Sequence, residues 1–319
     1  MKIVFLDAST VGEVPNLDSL KSLGDVTLYP VTKPAQTAGR ISDADVVITN
    51  KVVLYREQME DAPKLKLICV AATGMNNIDK DAAKELGIEV KNVAGYASQS
   101  VAQSTFAIIL HLIHRIPEHD EYVKGGKYSR SDIFTKVDRN FHELSGMRFG
   151  IIGLGNIGSK VAEIAKAFGC EIVYYSTSGK NRDQPYKRVD VDELLKTSDI
   201  ISIHAPLNAN TENLLGYDQL KMMKPSAILV NTGRGGIVNE KDLACAIDDN
   251  LLAGAAIDVF EKEPISPDNP LLKVTNTEKL LLTPHITWSS VEARTALIEG
   301  VRNNIEEFLE QYQKRKDQV

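Results

Sequence analysis

Apolar and polar positions follow two regimes along the chain. Short apolar runs read as buried strands, and the stretches between them carry apolar residues at helical spacing. In the first half the strands fall at 2–6, 26–29, 45–49, 65–70 and 88–90, with helices at 17–23, 55–61 and 79–86. A second series starts at Arg148 and gives strands at 149–152, 171–175, 200–203, 227–231, 254–259 and 280–282. Such alternation describes a parallel sheet with helices on both faces. Two series describe an α/β chain of two doubly wound parallel-sheet domains. Residues 98–116, apolar over much of their surface and followed by Pro117, read as one long helix that proline ends as it crosses between domains. Residues 118–143, polar and glycine-containing, read as an arm, and 289–313 as a last helix returning to the first domain. The expected domains are 1–97 with 286–319, and 98–285, with a ligand cleft between them.

Composition narrows the function. The chain has 319 residues, 43% apolar and 25% charged, enough for two real cores. A formal charge of −6, with scattered basic residues, gives no reason to expect nucleic acid or an anionic membrane as partner. No apolar run approaches the roughly 20 residues of a membrane span, and MKIVFLD reads as a first strand rather than a signal peptide, so a cytoplasmic protein is expected. Cys69, Cys170 and Cys245 are isolated and read as reduced and buried. His111, His114 and His119 lie close together without a convergent fourth ligand, a polar helix face rather than a metal site, and no metal is expected.

The first segment to carry chemistry is GIIGLGNIGSKVAEIAKAFGC, residues 150–170. It begins as a strand and continues as a helix whose face holds Val161, Ile164, Ala165 and Phe168. Glycine weakens a helix by about 1 kcal/mol relative to alanine, so three glycines at the junction need a reason. Gly153 permits the tight turn, Gly155 lets a pyrophosphate approach the main chain, and Gly158 lets the helix pack on the sheet. The helix then aims free N–H groups at the phosphate. This is the dinucleotide-binding pattern of a Rossmann domain.

Three further segments follow strands, where ligands bind in open α/β sheets. In NTGRGGIVNE, Arg234 can grip a carboxylate with two parallel N–H bonds. DVFEKEPI offers Asp258, Glu261 and Glu263. LLTPHITW places His285 behind Pro284, with Trp288 beyond it. Each is weak alone. Together with a dinucleotide loop they supply a cation for a substrate carboxylate, a hydride source and a proton donor, the needs of 2-keto acid reduction. Glu263, bonded to the other ring nitrogen, favours the imidazolium form of His285.

GIIGLGNIG, SIHAPLNANTENLL, MMKPSAILVNTGRGGIVNEKDL, AIDVFEKEP and TPHITW, in this order and spacing, make the chain resemble the D-isomer-specific 2-hydroxyacid dehydrogenases over nearly its whole length. The resemblance implies a Rossmann cofactor domain at 98–285, a flavodoxin-like substrate domain from the rest, and Arg234, Glu263 and His285 as the catalytic trio. It implies substrate contacts from Thr73 and Gly74 in AATGMNNID, from Arg234 and His285, and from Trp288. It assigns the cofactor to Thr105, Gly153, Leu154, Gly155, Asn156, Ile157, Gly158, His204, Ala205, Pro206, Thr211, Thr232, Gly233, Arg234, Asp258 and His285, with the backbone of His204 mattering more than its ring. Gln103 stands where many members carry glutamate.

One departure bears on the cofactor. NAD-specific folds place an acid about 20 residues past the first glycine. Here VYYSTSGKNR offers Ser176, Thr177, Ser178, Lys180 and Arg182 instead, and Glu171 lies at the wrong end of the strand. Hydroxyls and cations suit a 2′-phosphate, so the cofactor is NAD or NADP with NADP favoured; the other reading is NAD held through the hydroxyls. The pattern, with GGKYSRSDIF and HITW, is most similar to the glycerate dehydrogenase and hydroxypyruvate reductase branch, which implies a small 2-keto acid such as hydroxypyruvate or glyoxylate. Trp288 either limits substrate size or forms an aromatic wall. The alternatives are a nucleotide-sensing protein of corepressor type on the same scaffold and a formate- or phosphite-oxidising relative. The apolar surplus of 98–116 and the coreless arm, with the resemblance, imply a homodimer.

Overall fold

The computed structural model describes residues 1–137, 140–180 and 184–316. The chain divides into two compact units, Met1–Ala97 with Ser289–Val319, and Ser98–Trp288.

The first unit is built on β1 (Lys2–Phe5), β2 (Asp25–Leu28), β3 (Val46–Thr49), β4 (Leu67–Val70) and β5 (Glu89–Asn92). They form one parallel sheet in the order β2-β1-β3-β4-β5. Ile3 stands opposite both Val26 and Val46, and Val46 opposite Leu67. The order reverses between β1 and β3, the switch point of a flavodoxin-like sheet. All four residues of β3 and of β4 are buried, because helices cover both sheet faces and the strands read as unbroken apolar runs. The short helices α1 (Pro34–Ile41), α2 (Arg56–Glu60) and α3 (Lys80–Glu85) connect them. Asp79 caps α3 by accepting from Ala82 N.

The second unit carries α4 (Ser98–His114) and α5 (Ile116–Lys124) ahead of a seven-stranded sheet. Its strands are β6 (Arg148–Ile152), β7 (Glu171–Tyr175), β8 (Lys187–Arg188), β9 (Ile200–Ile203), β10 (Ile228–Asn231), β11 (Gly254–Ile257) and β12 (Leu280–Leu282). Every pairing is parallel, in the order β12-β11-β10-β9-β6-β7-β8. Sheet order reverses between β6 and β9, so the glycine loop after β6 emerges at the switch point. The helices α6 (Asn156–Ala167), α7 (Val191–Thr197), α8 (Tyr217–Lys221) and α9 (Glu240–Asp248) complete the winding. One core joins Leu194, Leu220, Leu229, Leu243 and Ile247; another joins Phe106, Ile109, Phe149, Val161 and Tyr174. Burying one such Leu or Phe side chain is worth about 1.5–3 kcal/mol. The chain ends in α10 (Val291–Lys316), which belongs to the first unit, where Asn304 Nδ2 donates to Asn92 O.

Several expectations change. Pro117 does not end the helix before it. α4 stops at His114, Arg115 takes a left-handed conformation (φ 46°), and Pro117 opens α5. A proline in the first turn removes only an N–H that has no helical partner, so it starts a helix as readily as it stops one. The arm is therefore helical as far as Lys124. Residues 17–23 form a 3₁₀ rather than an α-helix. α1 was not anticipated because it buries only Thr37 and Ile41, too few apolar positions to show a period. Cys245 is exposed, not buried, since α9 turns Leu243, Ala244, Ala246 and Ile247 inward and leaves it outside. Phe168 caps the end of α6, 42% exposed, and stacks on Phe106 with ring centroids 5.4 Å apart. Among the described residues no helix is long and apolar enough to cross a membrane.

Candidate functional site

Apart from Thr105 on α4 and the residues that open α6, the candidates in the second unit lie on loops that leave the carboxyl ends of strands in one parallel sheet. The three glycines after β6 have two different causes. Gly153 has φ +92°, and a Cβ there would lie 2.8 Å from Ala205 N; a Cβ on Gly158 would lie 2.2 Å from Gly153 O. The protein's own backbone demands these two. A Cβ on Gly155 would meet nothing within 4 Å, and Gly155 and Asn156 are exposed. Gly155 thus leaves open space above the N-terminus of α6, whose first turn holds no acid. Leu154 is buried and Ile157 half-buried beneath it. An open backbone cradle at a positive dipole end fits the pyrophosphate of a dinucleotide.

After β7, Ser176 is buried, Thr177 half-buried, and Ser178 and Lys180 exposed. The turn is closed by Gly179 N donating to Ser176 O and Lys180 N donating to Ser178 Oγ. The Thr177 hydroxyl and the exposed Lys180 ammonium stand on this turn, and Arg182 lies outside the described residues. After β9, Ala205 packs on Gly153. Thr211, fully buried, donates to Pro206 O at 2.7 Å and accepts from Asn208 N, so it shapes the loop that Pro206 begins.

The ring of His204 is engaged at both nitrogens. Ser202 Oγ is 2.8 Å from Nε2, Thr232 Oγ1 is 3.3 Å from Nδ1, and Thr105 Oγ1 is 3.4 Å from Thr232 Oγ1. Burial of the ring lowers its pKa to about 3, so it stays neutral. Three expected cofactor residues therefore form one polar chain, with Ser202 as its unanticipated end.

β10, β11 and β12 are neighbours, and they deliver Arg234, Glu263 and His285 to adjacent loops. Asn231 sets the first loop, its Nδ2 donating to Arg234 O and its Oδ1 accepting from Gly233 N. A Cβ on Gly235 would lie 2.0 Å from Phe260 O, so only glycine lets this turn press on the loop after β11. Arg234 Nη1 donates to Gly233 O at 2.8 Å. His285 and Glu263 meet directly, with His285 Nδ1 2.9 Å from Oε1 and 2.8 Å from Oε2. Phe260 N also donates to Glu263 Oε1. Glu240, buried on α9, accepts from Glu261 N and Asn269 Nδ2 and so braces the acidic loop from below. It stands in the NTGRGGIVNE segment, but a glutamate opening an amphipathic helix reads as solvated, and nothing in the sequence marks its distant partners.

His285 itself has φ 54°, uncommon for a residue with a side chain. Asp258, 1% exposed, holds it there. Its Oδ1 accepts from Thr283 Oγ1 and Ile286 N, and its Oδ2 from Thr287 N and Thr287 Oγ1. Ser100 Oγ and Ser104 Oγ of α4 both donate to Thr287 O. Trp288, next in the chain, is half-buried.

In the first unit, Thr73 and Gly74 lie on the loop after β4. Thr73 is exposed, its Oγ1 donating to Val93 O at 3.2 Å and its carbonyl accepting from Asn92 Nδ2 at 2.6 Å.

Residues 106–287 match the sequence model of the family described as D-isomer specific 2-hydroxyacid dehydrogenase, NAD binding domain. A hydroxypyruvate reductase of Blautia hydrogenotrophica is 37% identical over 317 residues, spanning 97% of each chain. Among solved structures, an acyclic imino acid reductase in complex with NADPH and D-Arg superposes with a TM-score of 0.86 at 32% identity, covering 98% of each chain. A D-lactate dehydrogenase of Aquifex aeolicus, complexed with NAD and lactic acid, gives 0.82 at 27%, covering 98% of this chain and 96% of its own.

Proposed function

Since the chain belongs to the D-isomer specific 2-hydroxyacid dehydrogenases, we propose that it reduces a small 2-keto acid of the hydroxypyruvate or glyoxylate kind to the D-2-hydroxy acid, with His285 supplying the proton. The observation that carries this reading is the Glu263–His285 pair. Both carboxylate oxygens lie within 2.9 Å of Nδ1, which fixes the ring and leaves Nε2 as the atom that exchanges a proton with the substrate oxygen. Glu263 also offsets the charge on the ring while Nε2 carries its proton. Arg234 grips the substrate carboxylate, and Trp288 bounds the substrate. The first unit serves as the substrate domain, its part being the backbone N–H groups of Thr73 and Gly74, which receive a carboxylate.

The backbone of Gly153–Gly158 would receive the pyrophosphate, and Thr105, His204, Ala205, Pro206, Thr211, Thr232 and Gly233 would line the rest of the dinucleotide. When bound, the reduced nicotinamide supplies the hydride. Thr177 and Lys180, with no acid on their turn, support NADP over NAD. The hydroxypyruvate reductase relative supports the substrate class. A sensing role needs no held proton donor and is not favoured. Ile116, Phe134 and Val137, exposed at 62%, 89% and 72%, support a homodimer that covers the arm.

The test is reduction of hydroxypyruvate and glyoxylate by NADPH and NADH, in the wild type and in His285→Ala. Turnover should fall about 10²–10⁴-fold in the variant, while nucleotide affinity, measured by fluorescence titration, stays within about twofold of the wild type. Equal losses in both would remove His285 from proton transfer.

A further inference from the structure

At the carboxyl ends of β1 and β3 a buried carboxylate organises a loop that touches no candidate site residue. Asp7, 3% exposed, follows β1; its Oδ1 accepts from Asn50 N at 2.9 Å and its Oδ2 from Lys51 N at 2.6 Å and Val52 N at 3.2 Å. Thr10 Oγ1 donates to Asp7 O and accepts from Asn50 Nδ2. Three successive N–H groups thus converge on one side chain. The loop borders a cavity of 580 Å³, lined in part by Asp7, Lys51, Val52, Val53 and Tyr55. Burial raises the carboxyl of Asp7 above the ordinary carboxylate value, against the lowering effect of its three N–H bonds.

The organised loop meets the loop after β4. Asn77 Nδ2 donates to Val52 O at 3.0 Å and to Asn50 O at 3.5 Å. Leu54 N donates to Asn77 O, and Asp79 N to Leu54 O. Asn77 lies three residues past Gly74, on the far side of the same loop from Thr73, whose own anchors are Asn92 and Val93. The Thr73–Gly74 segment therefore hangs between two supports, and one of them passes through Asn77 to Asp7.

We propose that Asp7 is a positioning residue for the 2-keto acid, fixing through residues 50–52 and Asn77 the loop whose N–H groups receive the substrate carboxylate. This rests on the reading of Thr73 and Gly74 given above. Asp7 touches neither substrate nor cofactor. Asp7→Asn keeps the volume and one acceptor but sets an amide NH₂ against the N–H groups of Lys51 and Val52.

The experiment compares wild type, Asp7→Asn, Asn77→Ala and the double variant, with glyoxylate at saturating NADPH and NADH. Each single change should raise the KM for glyoxylate about tenfold, the scale of one lost hydrogen bond. The kcat and the dissociation constant of the nucleotide should stay within about twofold, and the double variant should be no worse than the worse single, since both act on one path. A KM unchanged in either variant overturns the inference, and so does an equal loss of nucleotide affinity. Asn77→Ala leaves the buried carboxyl untouched, so the result stands even if Asp7→Asn does not fold. A wild type that reduces no 2-keto acid overturns the reading of the site and this inference with it; a wild type that does so, beside variants of normal KM, overturns the inference alone.

Discussion

Asp258 grips the chain on both sides of His285 without bonding its ring. One oxygen accepts from Thr283 Oγ1 before it and Ile286 N after it, and the other takes the N–H and hydroxyl of Thr287. A carboxylate has about four lone-pair sites, and all four are filled from within the protein. Asp258 therefore has little left to offer a cofactor directly, and its effect on chemistry passes through His285.

Removing the Asp258 carboxylate should release the left-handed turn. Asp258→Ala leaves two N–H groups, that of Thr287 buried, and two hydroxyls without their acceptor, which should cost about 2–4 kcal/mol of stability. It should lower kcat by about 10²-fold through a misplaced imidazole. Chemical denaturation and steady-state kinetics measure both. A variant of wild-type stability and kcat that has lost only nucleotide affinity would make Asp258 a cofactor residue after all.

Glu263 hydrogen-bonds the His285 ring, and two variants separate the placing of the ring from the effect of the carboxylate charge. Glu263→Gln keeps an acceptor for Nδ1–H and for Phe260 N but removes the charge. Glu263→Ala removes the acceptor as well. We expect kcat to fall about tenfold in the first and about 100-fold in the second, with the nucleotide dissociation constant unchanged. Equal losses would mean that the charge contributes everything and the placement nothing.

His204 makes the protein sensitive to acid. Its folded pKa is lowered to about 3 by burial, against about 6.5 in an unfolded chain, so its contribution to stability is complete above pH 6.5 and is lost as the pH falls towards 3. At pH 5 the loss amounts to at most about 2 kcal/mol. His204→Asn should flatten the fall of unfolding free energy between pH 8 and pH 5 by that amount. Parallel curves for variant and wild type would show that the ring takes up a proton without penalty.

What could be read from the sequence was what is local in it. The strands of both sheets show as apolar runs because both faces are covered, and the glycines show because a junction of strand and helix should not otherwise contain three. His285 and Glu263 stand out as polar residues just past strands. Asp7 and Glu240 do not stand out, and Asp258, though singled out, shows nothing of its task, because the groups that explain them lie more than twenty residues away along the chain, across the sheet. An acid after a strand looks the same whether it faces solvent or accepts three N–H bonds. Pro117 was ambiguous for a different reason, since one residue type marks both the stop of one helix and the start of the next.

Cofactor choice turns on the loop after β7. On the proposed reading Gly155 admits the pyrophosphate of either dinucleotide, so discrimination falls to the turn that follows Ser176. Ser176 is buried and Ser178 Oγ is engaged by Lys180 N, which leaves the Thr177 hydroxyl and the exposed Lys180 ammonium. A charge-assisted bond to a 2′-phosphate is worth about 1.5–3 kcal/mol, and an exposed site delivers the lower end. NADPH should thus be preferred by about tenfold in catalytic efficiency. Lys180→Gln should bring the ratio close to about one by lowering efficiency with NADPH while leaving NADH unaffected, and raising the salt concentration should act in the same direction. The measurement is the ratio of kcat/KM for the two nucleotides at low and high ionic strength. If the wild type prefers NADH strongly, the turn binds the ribose through hydroxyls alone; if Lys180→Gln lowers both efficiencies alike, Lys180 supports the loop rather than reading the phosphate.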